Sequence, residues 1–290
     1  MQLGNVSSSR NTGVELSKEQ SGYDAATYWE DRLRKRFDLA GVGHGSLGPQ
    51  HNARMYRARQ QTLALALQSV GRSLEGCRVL DVGCGSGFYT EYCLRSHVRQ
   101  YVGLDIAQVS VEMLRRQYPQ LRFMIGDISD KRLLPGSNFD IVLAADVLFH
   151  IVDDEAFSLA LANIAVWLNP GGLLVLSDVF PRVTFQSAPH CRYRSRDDYL
   201  TLLHQNDLHV AHEEPIFALL QPPPYGGSAA PLWRAYAWLW RYGWRIARIP
   251  VVDRLLPRGL GWLDEAYFLR ALGRGAPNSK WLLAVKGNVA

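Results

Sequence analysis

The segment VLDVGCGSGFYTEYC, residues 79–93, constrains the fold of this chain more than any other. An apolar run ends in Asp81, glycines follow at the alternate positions Gly83, Gly85 and Gly87, and a sequence suited to a helix comes next. Glycine allows the backbone to turn sharply and to approach a ligand closely. Glycine-rich turns from a strand into a helix commonly hold a nucleotide. The segment therefore predicts a strand, a turn and a helix built around a nucleotide-like ligand.

Strands and helices alternate after this turn. Most of the predicted strands are separated by helical segments, and they contain the sequences CRVLDVG, QYVGLDI, RFMIGDI, FDIVLAAD, GGLLVLSDVF, LHVAHEEPIFAL and KWLLAVKG. This alternation is typical of a mostly parallel sheet with helices on both faces. Ser195 and Asp198 have the spacing of a capping box, which predicts that a helix starts there.

Acidic residues at three strand ends narrow the choice of ligand. Asp81 precedes the first glycine by two residues, Asp105 ends the next predicted strand, and Asp127 follows the one after that. The carboxyl ends of parallel strands meet at one sheet edge, where ligands of such folds bind. The glycine spacing is one residue shorter than the G-x-G-x-x-G motif of dinucleotide-binding domains. A nucleoside whose ribose hydroxyls bind Asp105 fits this pattern better than a dinucleotide.

The motifs VLDVGCGSGF, VGLDI, GDI, FDIVLAADVLFHI and LNPGGLLVLSD occur in the order found in the class I S-adenosylmethionine-dependent methyltransferases. The chain resembles that family over residues 78–217 and 281–286. The resemblance implies an α/β fold with a Rossmann-like, seven-stranded, mostly parallel sheet whose last strand is antiparallel. It also implies that S-adenosylmethionine is the cofactor.

The resemblance assigns cofactor contacts to residues at the strand ends. Asp105 would accept hydrogen bonds from the ribose hydroxyls, and Asp127 would accept one from the adenine amino group. The Ile128 amide would approach the adenine ring, and the Ala145 carbonyl would lie near the cofactor amine. Further positions expected to contact the cofactor are Asp81, Gly83, Cys84, Gly85, Gly87 and Ile106.

Methyl transfer to a hydroxyl needs a group that takes the proton, and His150 in DVLFHIVDD is the candidate base. It follows the fourth strand, which in this family lies beside the methyl group, and an imidazole ordinarily titrates near neutral pH. A histidine that closes the loop by hydrogen bonding is the alternative. The nearby acids Asp146, Asp153 and Asp154 are interpreted as helix-capping and solvated groups.

Other candidate site residues flank the core. Two segments bring aromatic or basic side chains toward the expected acceptor site: Tyr23, Tyr28 and Trp29, and His190, Arg192 and Tyr193. The first three would belong to a lid, or else pack a cap helix. Arg57 or Arg59 is a candidate for a bidentate contact with the cofactor carboxylate, with surface exposure as the alternative for each.

We expect four segments in the chain. They are a disordered tail at 1–20, an N-terminal helical cap at 21–75, the cofactor-binding core at 76–221 and 279–290, and a helical insertion at 222–278. The insertion holds five of the eight tryptophans and is rich in arginine. The sequence predicts that its helices cover the cleft and supply apolar walls for a bulky or lipid-like acceptor. A purely stabilising subdomain, a homodimer contact and a membrane-surface contact are the alternatives.

Composition bears on partners and location. The net charge is +5 without a lysine-rich run, so no nucleic-acid partner is expected. The four cysteines include no C-x-x-C pair, so no metal site is expected, and reduced thiols suit a cytoplasmic protein. The first twenty residues lack the apolar region of a signal peptide. Attachment to the periphery of a membrane is the alternative location.

The favoured function is O-methylation of a small-molecule acceptor, such as a natural product or a sugar- or lipid-type compound. The sequence AADV stands where methyltransferases of base or glutamine amino groups carry D/N-P-P-Y/F, which disfavours those substrates. N- or C-methylation of another small molecule and a non-methyl reaction in the same fold remain alternatives. An RNA-binding methyltransferase is suggested only by the basic isoelectric point of about 9.1.

Overall fold

The structure, a computed structural model, describes residues 22–133, 135–136, 138–223, 231–243 and 245–288, and of residues 231–233 it describes the backbone alone. The tail predicted at residues 1–20 lies outside this range. No helix within the described residues is long and apolar enough to cross a membrane.

A seven-stranded sheet forms the centre of the molecule. Its strands are Arg78–Val82 (β1), Gln100–Asp105 (β2), Arg122–Ile125 (β3), Phe139–Ala145 (β4), Leu168–Asp178 (β5), Leu208–Pro215 (β8) and Lys280–Lys286 (β9). Their order is β3-β2-β1-β4-β5-β9-β8, and β9 is antiparallel to both of its neighbours. The predicted fold class, with six parallel strands and an antiparallel last strand, is confirmed.

Helices cover both faces of the sheet. They are Ala25–Lys35 (α1), Leu39–Val42 (α2), Pro49–Ser69 (α3), Phe88–Arg95 (α4), Gln108–Gln117 (α5), Asp154–Trp167 (α6), Arg196–Gln205 (α7), Pro231–Gly243 (α8), Pro250–Leu263 (α9) and Leu269–Leu272 (α10). Successive strand residues point to opposite faces, so Val79 joins the core beneath α3 and α4 while Leu80 joins the core beneath α6. The capping box of Ser195 and Asp198 at the start of α7 is confirmed.

The strand order creates a crevice at the carboxyl ends of β1 and β4. Strand β1 pairs with β2 on one side and with β4 on the other. Helix α4, which follows β1, packs on one face, and α6, which follows β4, packs on the other. Ligands of open α/β sheets bind where the chain changes direction in this way. The sheet therefore places the glycine turn and residues 146–150 around one opening.

A small hairpin, Phe185–Ala188 (β6) and Cys191–Tyr193 (β7), lies outside the main sheet and was not predicted. Its first strand, FQSA, lacks the alternation of apolar and polar residues that marks a half-buried strand. The hairpin turn carries His190 back toward the residues that follow β4.

The insertion packs against α3. Trp240 on α8 contacts the His51 ring, with 5.7 Å between ring centroids. Asp253 on α9 accepts hydrogen bonds from the backbone N–H groups of Gln50 and His51 at 3.1 and 3.0 Å. Asp264, just beyond α9, accepts bonds from the backbone that follows β8. The insertion is therefore attached to the core through buried acids and aromatic packing. The side chains of Trp233 and Trp244 lie outside the part of the chain that the structure describes.

Candidate functional site

A cavity of about 470 Å³ opens at the carboxyl ends of β1, β2 and β4. This volume lies within the range of small-molecule and cofactor sites. Most of the predicted cofactor positions line it, namely Gly83, Cys84, Gly85, Asp105, Ile106, Asp127, Ile128 and Ala145, and so do Tyr23, Trp29 and His150. The sequence-based assignments from five separate segments thus meet at one opening.

The glycine turn has a backbone that only glycine adopts readily. Gly83 and Gly87 have φ angles of 71° and 85°, in the left-handed region that side chains disfavour. A Cβ atom on Gly83 would also collide with the side chain of Val147. The turn therefore brings its backbone to the cavity wall where larger residues would be excluded.

Asp105 ends β2 and is held in place by the turn. Its carboxylate accepts hydrogen bonds from the backbone N–H groups of Gly85 at 2.7 Å and Ala107 at 2.9 Å. The side chain is buried, and burial raises the pKa of its carboxyl group although these bonds oppose the shift. A carboxylate has about four acceptor positions, so Asp105 keeps capacity for two ligand hydroxyls.

Asp81 lies beneath the turn and is not among the cavity-lining residues. The Tyr101 hydroxyl donates to its Oδ2 at 2.7 Å. Burial raises the pKa of the Asp81 carboxyl to about 7, opposed by the Tyr101 bond. The structure thus places Asp81, expected to contact the cofactor, behind the cavity wall.

The adenine end of the predicted site is formed by the segment after β3. Asp127 and Ile128 line the cavity. One oxygen of Asp127 accepts bonds from the Ser129 backbone N–H at 2.8 Å and from the Ser129 hydroxyl at 2.7 Å. These contacts fix the carboxylate, whose other oxygen can accept from an amino group.

The two candidate arginines have different surroundings. Arg57 is exposed on α3 and does not line the cavity. Arg59 is buried, its Nε lies 2.5 Å from Asp146 Oδ2, and its Nη2 donates to Gln221 Oε1 at 3.3 Å. Arg59 Nη1 has no hydrogen-bond partner among the described residues. Arg59 therefore stands one layer behind the cavity wall, where Asp146 separates it from the opening.

Asp146 is a site residue that the sequence interpretation missed. It directly follows β4, has a φ of 56°, and lines the cavity. The Ser177 hydroxyl donates to its Oδ1 at 2.9 Å while Arg59 approaches its Oδ2. It is therefore a fixed carboxylate rather than a solvated one. Its position at a strand end, like that of Asp105, was the available signal.

His150 closes a short 3₁₀ turn, Leu148–His150, and its ring faces the cavity. Its Nδ1 lies 2.7 Å from the His190 carbonyl oxygen. A carbonyl only accepts, so Nδ1 carries the proton and Nε2 holds the lone pair in the neutral ring. Burial lowers the pKa of His150 to about 3. The expectation that this imidazole titrates near neutral pH is corrected by its surroundings.

An aromatic cluster surrounds His150. Trp29 meets it edge to face at 4.9 Å between ring centroids, and His190 stacks on it at 5.7 Å. Tyr28 stacks in turn on His190 at 4.6 Å. Tyr23 and Trp29 line the cavity, whereas Tyr28 and His190 support them from behind. Helix α1 and the β6–β7 hairpin are thus joined over this end of the opening.

Arg192 and Tyr193 lie outside the cavity lining. Arg192 pairs with Asp154 at 2.8 Å, and Tyr193 packs on Phe149 at 5.1 Å between centroids. Asp153 caps α6 by accepting from the Ala156 backbone N–H, as the sequence suggested. These residues hold the loop that carries His150.

The described part of the insertion lies apart from the cavity, where the sequence predicted acceptor walls. None of its described residues lines the cavity, because α8 and α9 pack on α3 instead. Within the described residues, no group of three or more His, Cys, Asp or Glu side chains is placed to hold a metal ion.

Residues 79–172 match a family model described as a methyltransferase domain. The chain is 30% identical over 178 residues to an O-methyltransferase of Aspergillus nomiae, covering 52% of this chain and 76% of that protein. It is 36% identical over 112 residues to a fatty-acid O-methyltransferase of Mycolicibacterium smegmatis, covering 38% of this chain and 39% of that protein. The chain thus spans between 39% and 76% of the length of these relatives.

The fold is shared with a solved structure. Magnesium protoporphyrin IX methyltransferase of Synechocystis, determined with bound S-adenosylmethionine, gives a TM-score of 0.53 at 17% identity. The match covers 92% of this chain and 99% of that one. At this identity the likeness establishes the fold and leaves the acceptor open.

Proposed function

The chain belongs to the class I S-adenosylmethionine-dependent methyltransferases, and on that premise we propose that it methylates a hydroxyl oxygen of a small molecule. The observation that carries the proposal is His150, whose unprotonated Nε2 belongs to a ring at the cavity wall. The names of the two relatives described above, both O-methyltransferases, support the same oxygen acceptor.

The cavity suits S-adenosylmethionine. Ser86 and Tyr89 line it with buried hydroxyls that have no partner among the described residues, and Asp105 keeps free acceptor positions. When bound, the cofactor supplies a methyl group on a positively charged sulfur. In this proposal Asp105 and Asp127 hold the nucleoside. Asp146, kept in place by Arg59, accepts from the cofactor amine.

His150 then serves as the base in this proposal. Its Nε2 would accept the proton of the acceptor hydroxyl as the oxygen takes the methyl group, whose bond to sulfur would break to leave S-adenosylhomocysteine. The imidazole remains neutral over the physiological pH range, because burial lowers its pKa to about 3. So weak a base favours an acidic hydroxyl, since proton transfer to it has little driving force. A phenolic hydroxyl, with a pKa of about 10, is therefore a better acceptor than an alkyl alcohol.

The aromatic wall supports an acceptor with a flat or apolar body. Tyr23 and Trp29 line the cavity beside His150, and aromatic side chains bury large apolar areas with defined ring geometry. Natural-product phenols have this shape and acidity. The sugar-type acceptors suggested by the sequence have neither.

The test measures S-adenosylhomocysteine release with three probes: a substituted catechol, a long-chain alcohol and a long-chain carboxylic acid. We expect release with the catechol at a rate at least about tenfold above the alcohol. Faster turnover of the carboxylic acid would assign a reaction that needs no base and would contradict the role given to His150. If amines stimulate release and none of the oxygen acceptors does, the result would indicate N-methylation instead.

A further inference from the structure

Exposed apolar side chains are concentrated in the insertion. Of the fifteen large apolar side chains that are exposed in the described residues, ten lie between positions 238 and 267. Single exposed apolar residues are common on soluble proteins, but clustered ones mark a site of contact. Because the insertion does not line the cavity, this surface requires a separate explanation.

On α8 the exposed apolar residues form one stripe. Trp238, Leu239 and Tyr242 are 60, 59 and 61% exposed, and at 100° per residue they fall within about a third of the helix circumference. The opposite side carries Trp240, which is buried against His51 of α3. Apolar residues of α8 therefore face outward as well as inward.

Helix α9 repeats the arrangement. Val251, Leu255 and Trp262 are 65, 57 and 65% exposed and share one side of the helix. The inward side carries Asp253, which binds the N-terminal end of α3. Both helices therefore bury one side against the same end of α3 and turn the other side outward. We call these two outward stripes the outer surface of the insertion.

The helices that carry the outer surface are strongly cationic. Residues 231–263 contain six arginines and no lysine, and their one acid is Asp253. Asp253 is buried and turned toward α3, and Glu265, just beyond α9, is paired with Arg54 at 2.6 Å. Arg234 and Arg241 are exposed along one edge of the apolar stripe of α8. Positive charge beside exposed tryptophan and leucine is typical of helices that lie in a membrane interface.

We propose that the outer surface of the insertion docks on an anionic lipid bilayer, with Trp238, Leu239 and Trp262 entering the interface and arginines meeting the headgroups. Helix α8 has 13 residues, so it would lie along the surface rather than span it. A second copy of the chain is a poorer occupant, because pairing two such surfaces would bring like charges together. Nucleic acid is also poorer, because it offers no apolar layer for Leu239, Val251 and Leu255.

The proposal does not depend on which acceptor is methylated. The test is co-sedimentation of the full-length protein with phosphatidylcholine vesicles that contain either no anionic lipid or about one third phosphatidylglycerol. We expect binding to the anionic vesicles at low salt, weaker binding in high salt because counterions screen the charges, and little binding to neutral vesicles.

Variants locate the contact. Trp238→Ser combined with Leu239→Ser should lower the vesicle partition coefficient at least about fivefold, and Arg241→Glu should lower it by at least about fivefold. The matched control combines Val166→Ser with Arg116→Glu, exposed positions outside the insertion, and should bind as the unchanged protein does. Thermal unfolding checks that each variant is folded.

Several results would overturn the proposal. One is the absence of sedimentation with anionic vesicles at low salt. Another is equal loss in the control and in the Trp238 variant. A third is a dimer, detected by sedimentation velocity, that is lost in the Trp238 variant, combined with the absence of vesicle binding by either protein. Tight binding to single-stranded RNA without vesicle binding would assign the surface to nucleic acid instead.

Discussion

Two residues in the cavity wall show how surroundings determine chemical behaviour. Asp105 is buried, yet two backbone N–H groups hold its carboxylate in a fixed direction. His150 is held by one carbonyl, which selects the tautomer with a free Nε2. The first arrangement suits recognition of a diol, and the second suits acceptance of a proton. Both depend on contacts with backbone atoms, which a sequence motif does not reveal.

The first prediction concerns Asp105. Replacing it with alanine should weaken S-adenosylmethionine binding at least about tenfold, because a buried hydroxyl left without its partner costs about 1–3 kcal/mol. Calorimetric titration measures the affinity, and circular dichroism checks the fold. Glu75→Ala, at an exposed acid on the opposite end of β1, is the control. Equal affinity in the Asp105 variant would remove this residue from the cofactor site.

The second prediction concerns His150. His150→Ala should lower turnover by about 10²–10⁴-fold while cofactor affinity stays nearly unchanged. The wild-type enzyme should show no acidic limb near pH 6.5 in its pH profile of kcat/KM. A base whose pKa lies at about 3 stays unprotonated until the pH falls well below 5. His204→Ala, at an exposed histidine, is the control. Near-normal turnover of His150→Ala, or a limb near pH 6.5 that this variant loses, would contradict the account.

At the scale of elements, α3 joins the core, the cavity and the insertion. Gly48, the N-cap residue that precedes α3, has no side chain to cap the helix, and a helix start leaves backbone N–H groups without partners. Asp253 of α9 supplies the missing acceptor from a distant part of the chain. Gly48 also leaves the space that the Asp253 carboxyl occupies. The cap therefore belongs to the tertiary structure.

The third prediction follows from this contact. Asp253→Ala should lower the free energy of unfolding by about 0.5–2 kcal/mol, as loss of a helix cap does, and Asp253→Asn should lower it less. Urea unfolding of both variants measures the difference. Cofactor affinity should remain unchanged, because Asp253 does not line the cavity. An alanine variant as stable as the wild-type protein would show that water hydrogen-bonds the N–H groups at the start of α3 equally well.

The regular elements could be predicted from the sequence because their signals are local. Strands β1, β4 and β5 are largely buried on both faces, so each contains a continuous apolar run. The β6–β7 hairpin could not be predicted, since its short polar strand has no such run. The Asp253 cap joins residues 202 positions apart. Neither periodicity nor motif spacing detects a contact of that kind.

At the scale of the whole molecule, the sheet separates two tasks. The carboxyl ends of β1, β2 and β4 carry the cavity, while the insertion packs on α3 and turns its arginine-rich outer surface away from the core. The sequence motifs located the cavity, because strand ends of a parallel sheet converge. They did not determine where the insertion packs, because its apolar residues fit a lid over the cavity and an exposed outer surface equally well. Only the packing of Trp240 and Asp253 against α3 distinguishes the two.

The position of the transferred methyl group tests the central claim most directly. The full-length protein is incubated with S-adenosylmethionine that carries a ¹³C-labelled methyl group and with the catechol probe, and the product is analysed by NMR. We predict a labelled methyl group on oxygen, formed together with S-adenosylhomocysteine and lost in the His150→Ala variant. A label on a ring carbon, or cofactor binding without any transfer to the catechol, would contradict the proposal that this protein is an O-methyltransferase.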